Sequence, residues 1–412
     1  MFLLTILYFI GVCASQDLPS LRLVNLLYRH GDRSPVESYP TNPITENDWP
    51  QGYGQLTKEG MREHYQLGQF YREYYKTFLN ASYDRFQISV RSSNLDRCLL
   101  SAECHLAGLY PPTDTFLPNV TWQPVPIHTV PEKNDSVLAL QAPCPAYDKA
   151  YDDILHSDIV KEEEKRNKDF YIFVGEKTGL GHENISNIWP VADTLYCESR
   201  HNFSLPSWVN SSIINKLRTL ESFSFTLMYN TTLLQRLKGG PLLKVMLENM
   251  NNKINRINGT LDAERARMYM YSAHDTTVAA LLSALGVFND ISPPYAASVI
   301  LELHEDPANT YYVKVFYNNG SQPMLLTVPG CSEKCPFEKF VQLTSNVIPD
   351  NWAKECGVQD AAAVILQFSL LMFGILVGGF VIITVLFVII AIKCTRKSPR
   401  TKYSLVAQED IN

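Results

Sequence analysis

The sequence predicts an α/β fold: a mixed sheet flanked by helices, with an inserted smaller, mainly helical cap, and then one transmembrane helix. Three observations lead there. Compact apolar or alternating runs recur at residues 21–28, 86–91 and 267–272 with helix-like segments after them, the pattern of a sheet with crossover helices. Residues 111–240 interrupt that pattern with prolines, sequons and polar helix-like stretches. Residues 361–392 carry no charged side chain and exceed the about 20 residues a helix needs to cross a bilayer.

Residues 1–14, MFLLTILYFIGVCA, are a short apolar run ending in small residues, so 1–15 reads as a signal peptide and 16–360 as the luminal or extracellular domain. LRLVNLLY at 21–28 suits a buried strand that ends where Arg29-His30-Gly31 begins. Thr57 is placed to cap a helix reaching about Phe78, with Met61, Tyr65, Gly68, Phe70 or Tyr71, and Tyr75 on its inner side. FQISVR at 86–91 alternates like a strand, and a helix follows from about Asp96 to Leu109. The cap occupies roughly 111–240, and its charge run at 161–168 reads as a solvated helix face. RMYMYS at 267–272 is another strand, after which Asp275-Thr276-Thr277 opens an apolar helix. The alternating runs at 298–303 and 311–317 read as edge strands.

Lys393, Arg396, Lys397, Arg400 and Lys402 follow the apolar segment, and basic residues stay on the cytoplasmic side. The expected topology is a single-pass type I protein of the secretory or endolysosomal pathway, with 393–412 as a cytoplasmic tail. Nine Asn-x-Ser/Thr sequons, at Asn80, Asn119, Asn134, Asn184, Asn202, Asn210, Asn230, Asn258 and Asn319, all fall on the luminal side. Seven cysteines remain there after the signal peptide and the tail are set aside; seven is odd, so at least one is free or pairs between chains. The formal charge of −6 and the pI near 5.9 leave no basic surplus for gripping a nucleic acid polymer.

Transfer of a phosphate monoester needs a nucleophile, cationic donors for the equatorial oxygens and an acid for the leaving alkoxide. In Arg29-His30-Gly31-Asp32-Arg33-Ser34-Pro35, two guanidinium groups flank a histidine at a strand end. Guanidinium forks match phosphate oxygens, and Gly31 lets backbone approach the substrate. A second cluster, Ser272-Ala273-His274-Asp275-Thr276-Thr277, follows another strand at a helix amino terminus, where unpaired N–H groups favour an anion. Asp275 reads either as the cap of that helix or, beside His274, as the general acid. Arg97, in Arg91-Ser92-Ser93-Asn94-Leu95-Asp96-Arg97, is a candidate third phosphate donor.

These segments, with WPQGYGQLTKEG, resemble the histidine acid phosphatase family, most of all its prostatic and lysosomal members, and similarity runs through WQPVPIHTVP, LYCESRHNFSLPSW and the PGCSEKCP region. The resemblance implies a phosphoglycerate-mutase-like fold, with His30 as the nucleophile that becomes phosphohistidine, Asp275 as the acid, and Arg29, Arg33, Arg97 and His274 binding the phosphoryl group. It also implies homodimerisation with Trp122 and His128 at the contact, and Trp189 near the substrate entrance. It pairs Cys144 with Cys356 and Cys331 with Cys335. The usual partner of Cys197 falls at Ser298, which leaves Cys197 orphaned, and Cys98 and Cys104 are additional. An acidic optimum is expected, because Asp275 acts only when protonated; a bound phosphate raises its pKa and the arginines oppose that rise.

Other readings compete. Cys394 to Arg400 matches the Cys-x5-Arg spacing of cysteine phosphatases, but it follows a membrane helix and contains a proline, so palmitoylation of Cys394 fits better. No HExxH or paired His/Asp pattern points to a metal, and no cofactor is expected. A phytase- or mutase-like transfer on the same fold and a non-catalytic surface ectodomain are the alternatives. Tyr403-Ser404-Leu405-Val406 fits the tyrosine-x-x-apolar pattern read by clathrin adaptors.

Overall fold

The computed structural model describes residues 19–112, 117–181, 183–320, 322–358 and 361–396. The expected signal peptide and the Tyr403 motif lie outside the described residues. The chain divides into one unit ending at Gly357 and a second beginning at Val358.

The first unit is built on a mixed sheet of order β2-β3-β1-β4-β5-β6, with β7 also paired to β5. Its strands are β1 (Leu21–Arg29), β2 (Ile88–Ser92), β3 (Met268–Ala273), β4 (Ser298–Glu305), β5 (Tyr311–Asn318), β6 (Met324–Leu326) and β7 (Cys335–Pro336). Strands β1, β2 and β3 are mutually parallel: Arg29 of β1 is level with Ala273 of β3, and Ser92 of β2 with Ser272. Their carboxyl ends therefore finish together at one edge, where open α/β sheets place their sites.

The continuous apolar character of β1 has a direct cause, since both faces of the sheet are covered. Its alternate residues Val24, Leu26 and Tyr28 join a cluster with Tyr71, Tyr75, Leu106 and Leu109 of α1 (Lys58–Tyr74), α2 (Asp96–Leu109) and the turn after α1. Leu23 and Leu27 face the opposite cluster, with Leu243, Met246, Val278, Leu281 and Phe340. That side is supplied by α8 (Gly240–Asn255), α9 (Asp275–Ala284) and α10 (Phe337–Thr344).

Between α2 and α8 stand α3 (Pro145–Leu155), α4 (Asp158–Thr178), α5 (Trp189–Arg200), α6 (Ser211–Met228) and the short α7 (Thr232–Lys238). Val160, Tyr171, Val174, Val191, Leu195, Leu217 and Leu220 give α4, α5 and α6 an apolar cluster of their own. Ahead of these helices, Val125 and Ile127 pack on the α1–α2 side of the sheet, and His128 bridges to Arg91 of β2. The run at 161–168 is largely exposed as expected, although Glu163 and Asn167 turn inward, where Glu163 accepts from Tyr171 at 2.9 Å.

Three expectations need correction. Neither run expected at an edge is one: β4 lies between β1 and β5 and is buried along nearly its whole length, and β5 lies between β4 and β6. The buried side of α1 is Gly60, His64, Gly68, Tyr71 and Tyr74, while Tyr65 is 43% exposed. The helix is rotated from the apolar reading because His64 is drawn inward to donate from Nε2 to the Arg29 carbonyl at 2.9 Å. Thr57 does cap α1, accepting from the Gly60 N–H. Finally, His274 is the residue before α9 and Asp275 its first helical residue, so Asp275 is not the cap.

The pairs Cys144–Cys356 and Cys331–Cys335 form as the resemblance implied. Cys98, Cys104 and Cys197 are free thiols, and Ser298 instead lies 2.7 Å from the Tyr71 hydroxyl. Next to Cys356, α11 (Trp352–Glu355) is the last helix of this unit. The second unit contains α12 (Ala361–Arg396), in which Met372–Lys393 has mean hydropathy 3.2 and is long and apolar enough to cross a membrane.

Candidate active site

All six residues singled out in the sequence converge at the carboxyl ends of β1, β2 and β3. His30, Arg33, Arg97, His274 and Asp275 line one cavity of about 350 Å³, and Arg29 joins them through a 2.7 Å ion pair to Asp275. A larger cavity of about 1060 Å³ is lined by Asp32, Trp49, Lys58, Arg200 and His201 among others, but by none of those six. Size alone does not locate the chemistry.

His30 sits one residue beyond β1, its N–H bound to the Ala273 carbonyl at 2.9 Å. It is 1% exposed, and its Nδ1 donates to the Gly31 carbonyl at 2.8 Å. That bond fixes the tautomer and leaves the Nε2 lone pair free. Burial, then the cationic Arg29, Arg97 and Arg33 and the neighbouring His274, hold the imidazole well below the usual histidine pKa.

Gly31 has a different reason from the one its sequence suggested. A Cβ there would lie 2.4 Å from the Gly60 carbonyl oxygen of α1, so glycine is required for the motif to press against that helix. Asp32 then pins the loop from behind. Its fully buried carboxylate accepts from Thr57, from Nε of Arg200 and from Nε2 of His201, each at 2.6 Å, and these donors hold its pKa below the ordinary value against the effect of burial.

The arginines are anchored by partners that no motif announced. Both terminal nitrogens of Arg33 bind the Asp193 carboxylate of α5, at 2.8 and 3.0 Å. Arg29 donates to the Pro293 carbonyl at 2.6 Å and lies 4.2 Å over the Tyr295 ring. Arg97 is half-buried at the start of α2 and donates to the Gly54 carbonyl at 3.4 Å. Asp193 and Tyr295 carried no local signal, since an isolated carboxylate on a helix and a tyrosine after two prolines are commonplace.

His274 lies with Nε2 2.8 Å from the Ser93 hydroxyl, and its ring centroid is 5.8 Å from that of His30. Burial and then Arg97 push its pKa down to about 3, overriding Asp275, so it offers a neutral N–H or lone pair rather than a charge. Asp275 is a carboxylate: burial raises its pKa, but Arg29 and then Arg33 pull it below the usual range, aided by the Thr276 N–H at 2.7 Å. Trp189, at the start of α5 and 37% exposed, lines the same cavity.

The site thus offers one unprotonated imidazole nitrogen, three guanidinium groups and a carboxyl that can exchange a proton, which is the set needed to move a phosphoryl group. Known proteins similar to this chain include acid phosphatases. Lysosomal acid phosphatase of Xenopus laevis is 40% identical over 400 residues, covering 95% of this chain and 90% of that protein. Lysosomal acid phosphatase of Homo sapiens is 41% identical over 352 residues (84% and 82%), and prostatic acid phosphatase of Homo sapiens 41% over 345 residues (82% and 88%). Among solved structures, the apo form of Hafnia alvei phytase superposes with a TM-score of 0.64 at 18% identity, covering 82% of this chain and 98% of that one, a likeness of fold. The family model of the histidine phosphatase superfamily (branch 2) matches residues 20–318, and the chain belongs to that superfamily.

Proposed function

We propose that this chain is an acid phosphatase that hydrolyses phosphate monoesters of broad range through a phosphohistidine on His30. The observation that carries the reading is the state of His30: buried among Arg29, Arg33 and Arg97, with Nδ1–H bound to Gly31, it keeps a free Nε2 lone pair in acid, where an ordinary histidine is protonated.

In this mechanism Arg29, Arg33 and Arg97 take the equatorial oxygens. Nε2 of His30 attacks phosphorus, the bond to the leaving oxygen breaks, and Asp275 gives that oxygen its proton. Water then attacks the phosphohistidine, Asp275 takes the proton, and phosphate leaves with His30 restored. Asp275 is ionised while Arg29 holds it. A monoester below about pH 6 arrives as a monoanion. Its phosphoryl oxygens compete for Arg29, and the proton it carries passes to Asp275. Acid conditions therefore serve the reaction by protonating the substrate, while the site keeps the nucleophile free. Hydrolysis of 4-nitrophenyl phosphate by the purified full chain in detergent, faster at pH 5 than at pH 7.5, tests this; no turnover at pH 5 contradicts it.

The apolar α12 and the lysosomal relatives support a membrane-anchored lysosomal protein with its catalytic unit in the lumen. The exposed Trp122, at 50%, and the exposed His128 support a homodimer contact, which Trp122→Ala and a sedimentation measurement check. The Tyr403 motif is proposed to engage clathrin adaptors; unchanged internalisation of Tyr403→Ala sinks that idea.

A further inference from the structure

The cavity that holds His30 has a second wall that phosphoryl transfer does not use. It includes Leu95, Trp189, Phe225 and Met228, the polar Gln141 and Ser224, and Glu221 of α6. Asp193 and Asp275 also line the cavity, but each is committed to an arginine. Glu221 is not. It is 7% exposed, and among the described residues its side-chain partner is Arg218, one turn earlier on its own helix. Arg218 is in turn held 4.2 Å over the Tyr196 ring, so the pair is packed in place.

We propose that Glu221 selects the leaving group, so that the site favours phosphate monoesters whose leaving group is uncharged and rejects those whose leaving group is itself anionic. This rests on the cavity being the phosphomonoesterase site. The transferred phosphoryl group engages Arg29, Arg33 and Arg97, and among the described residues no further lysine or arginine lines the cavity. A carboxylate or second phosphate on the leaving group is therefore desolvated among apolar and uncharged polar side chains without a cation to receive it. When Glu221 is ionised it adds like-charge repulsion. The groups facing Glu221 are Arg218 on α6, Asp193 on α5, Asp275 on α9 and Arg29 at the end of β1. Burial outweighs the opposing Arg218 and pushes the Glu221 carboxyl up to about 7, so the repulsion strengthens as pH rises through neutrality.

The test uses two aryl phosphates of nearly equal shape, 4-carboxyphenyl phosphate and 4-carbamoylphenyl phosphate, with the full chain in detergent and with Glu221→Gln. Changes common to both substrates cancel in the ratio of their kcat/KM values. At pH 7.5 the wild type is expected to prefer the amide by about tenfold, the effect of one partly screened like-charge contact. At pH 5 that preference shrinks, and in Glu221→Gln the ratio no longer changes with pH. A wild-type ratio that is flat between pH 5 and 7.5, or a pH dependence that survives in Glu221→Gln, overturns the assignment. Should the variant fail a thermal-unfolding check, the wild-type ratio at the two pH values decides alone. Turnover of neither ester at pH 5 would refute the phosphatase reading instead.

Discussion

Asp193→Asn is the sharpest probe of how the site is held. Asp193 meets Arg33 through two contacts, with side chains only 6% and 7% exposed. An asparagine of the same shape turns one acceptor into an N–H donor facing a guanidinium N–H and leaves the buried cation half-paired. Removing one partner of such a pair costs about 3–5 kcal/mol. Unfolding entropy near 2.1 cal/mol/K per residue gives a domain of this size roughly 0.7 kcal/mol per degree, so Tm should fall by about 6 °C. The fork of Arg33 is also freed to turn, and a misplacement of about 1 Å at a reacting group costs about 100-fold, which is the expected drop in kcat/KM. Thermal unfolding and steady-state kinetics read the two effects. If Asp193→Asn bound inorganic phosphate more tightly and kept its kcat, Asp193 would be merely neutralising Arg33, and the positioning argument would fail.

Other outcomes follow from the same geometry. Asp275→Asn should slow an alkyl phosphate, which needs a proton on its leaving oxygen, by about 10²–10⁴, but 4-nitrophenyl phosphate by less than about tenfold; equal losses on both contradict the acid role. In the pH profile of kcat/KM, activity should fall above about pH 6 as the ester loses its second proton. His30, with its pKa held well below the ordinary value, stays competent under acid, and a loss of the nucleophile centred near 6.5 contradicts that assignment. Because three arginines supply the charge stabilisation in this reading, prolonged EDTA treatment should leave the rate within about twofold; abolition restored by a divalent cation contradicts it.

Much of this was legible in the sequence because the motifs sit where strands end. LRLVNLLY runs directly into Arg29-His30, and MYMYSA into His274-Asp275; once β1, β2 and β3 are parallel and level, the six residues must meet. What stayed hidden depended on buried polar groups that look like surface. β4 passed for an edge strand because Glu302 imitates an outward-facing position, as does His304 just beyond the run. They are each 1% exposed, 2.9 Å apart, and Tyr75 donates to Glu302 at 2.8 Å. His64 misled the reading of α1 in the same way. Asp193, Tyr295 and Glu221 act through tertiary neighbours, so no spacing along the chain marks them.

The central claim concerns one bond, between Nε2 of His30 and phosphorus. Acid-quench trapping with a ³²P-labelled aryl phosphate at pH 5 should give wild-type label that is lost on mild acid hydrolysis and maps to the peptide containing His30. Asp275→Ala should retain the label longer, and His30→Ala should give none. Label of undiminished yield in folded His30→Ala would contradict the account.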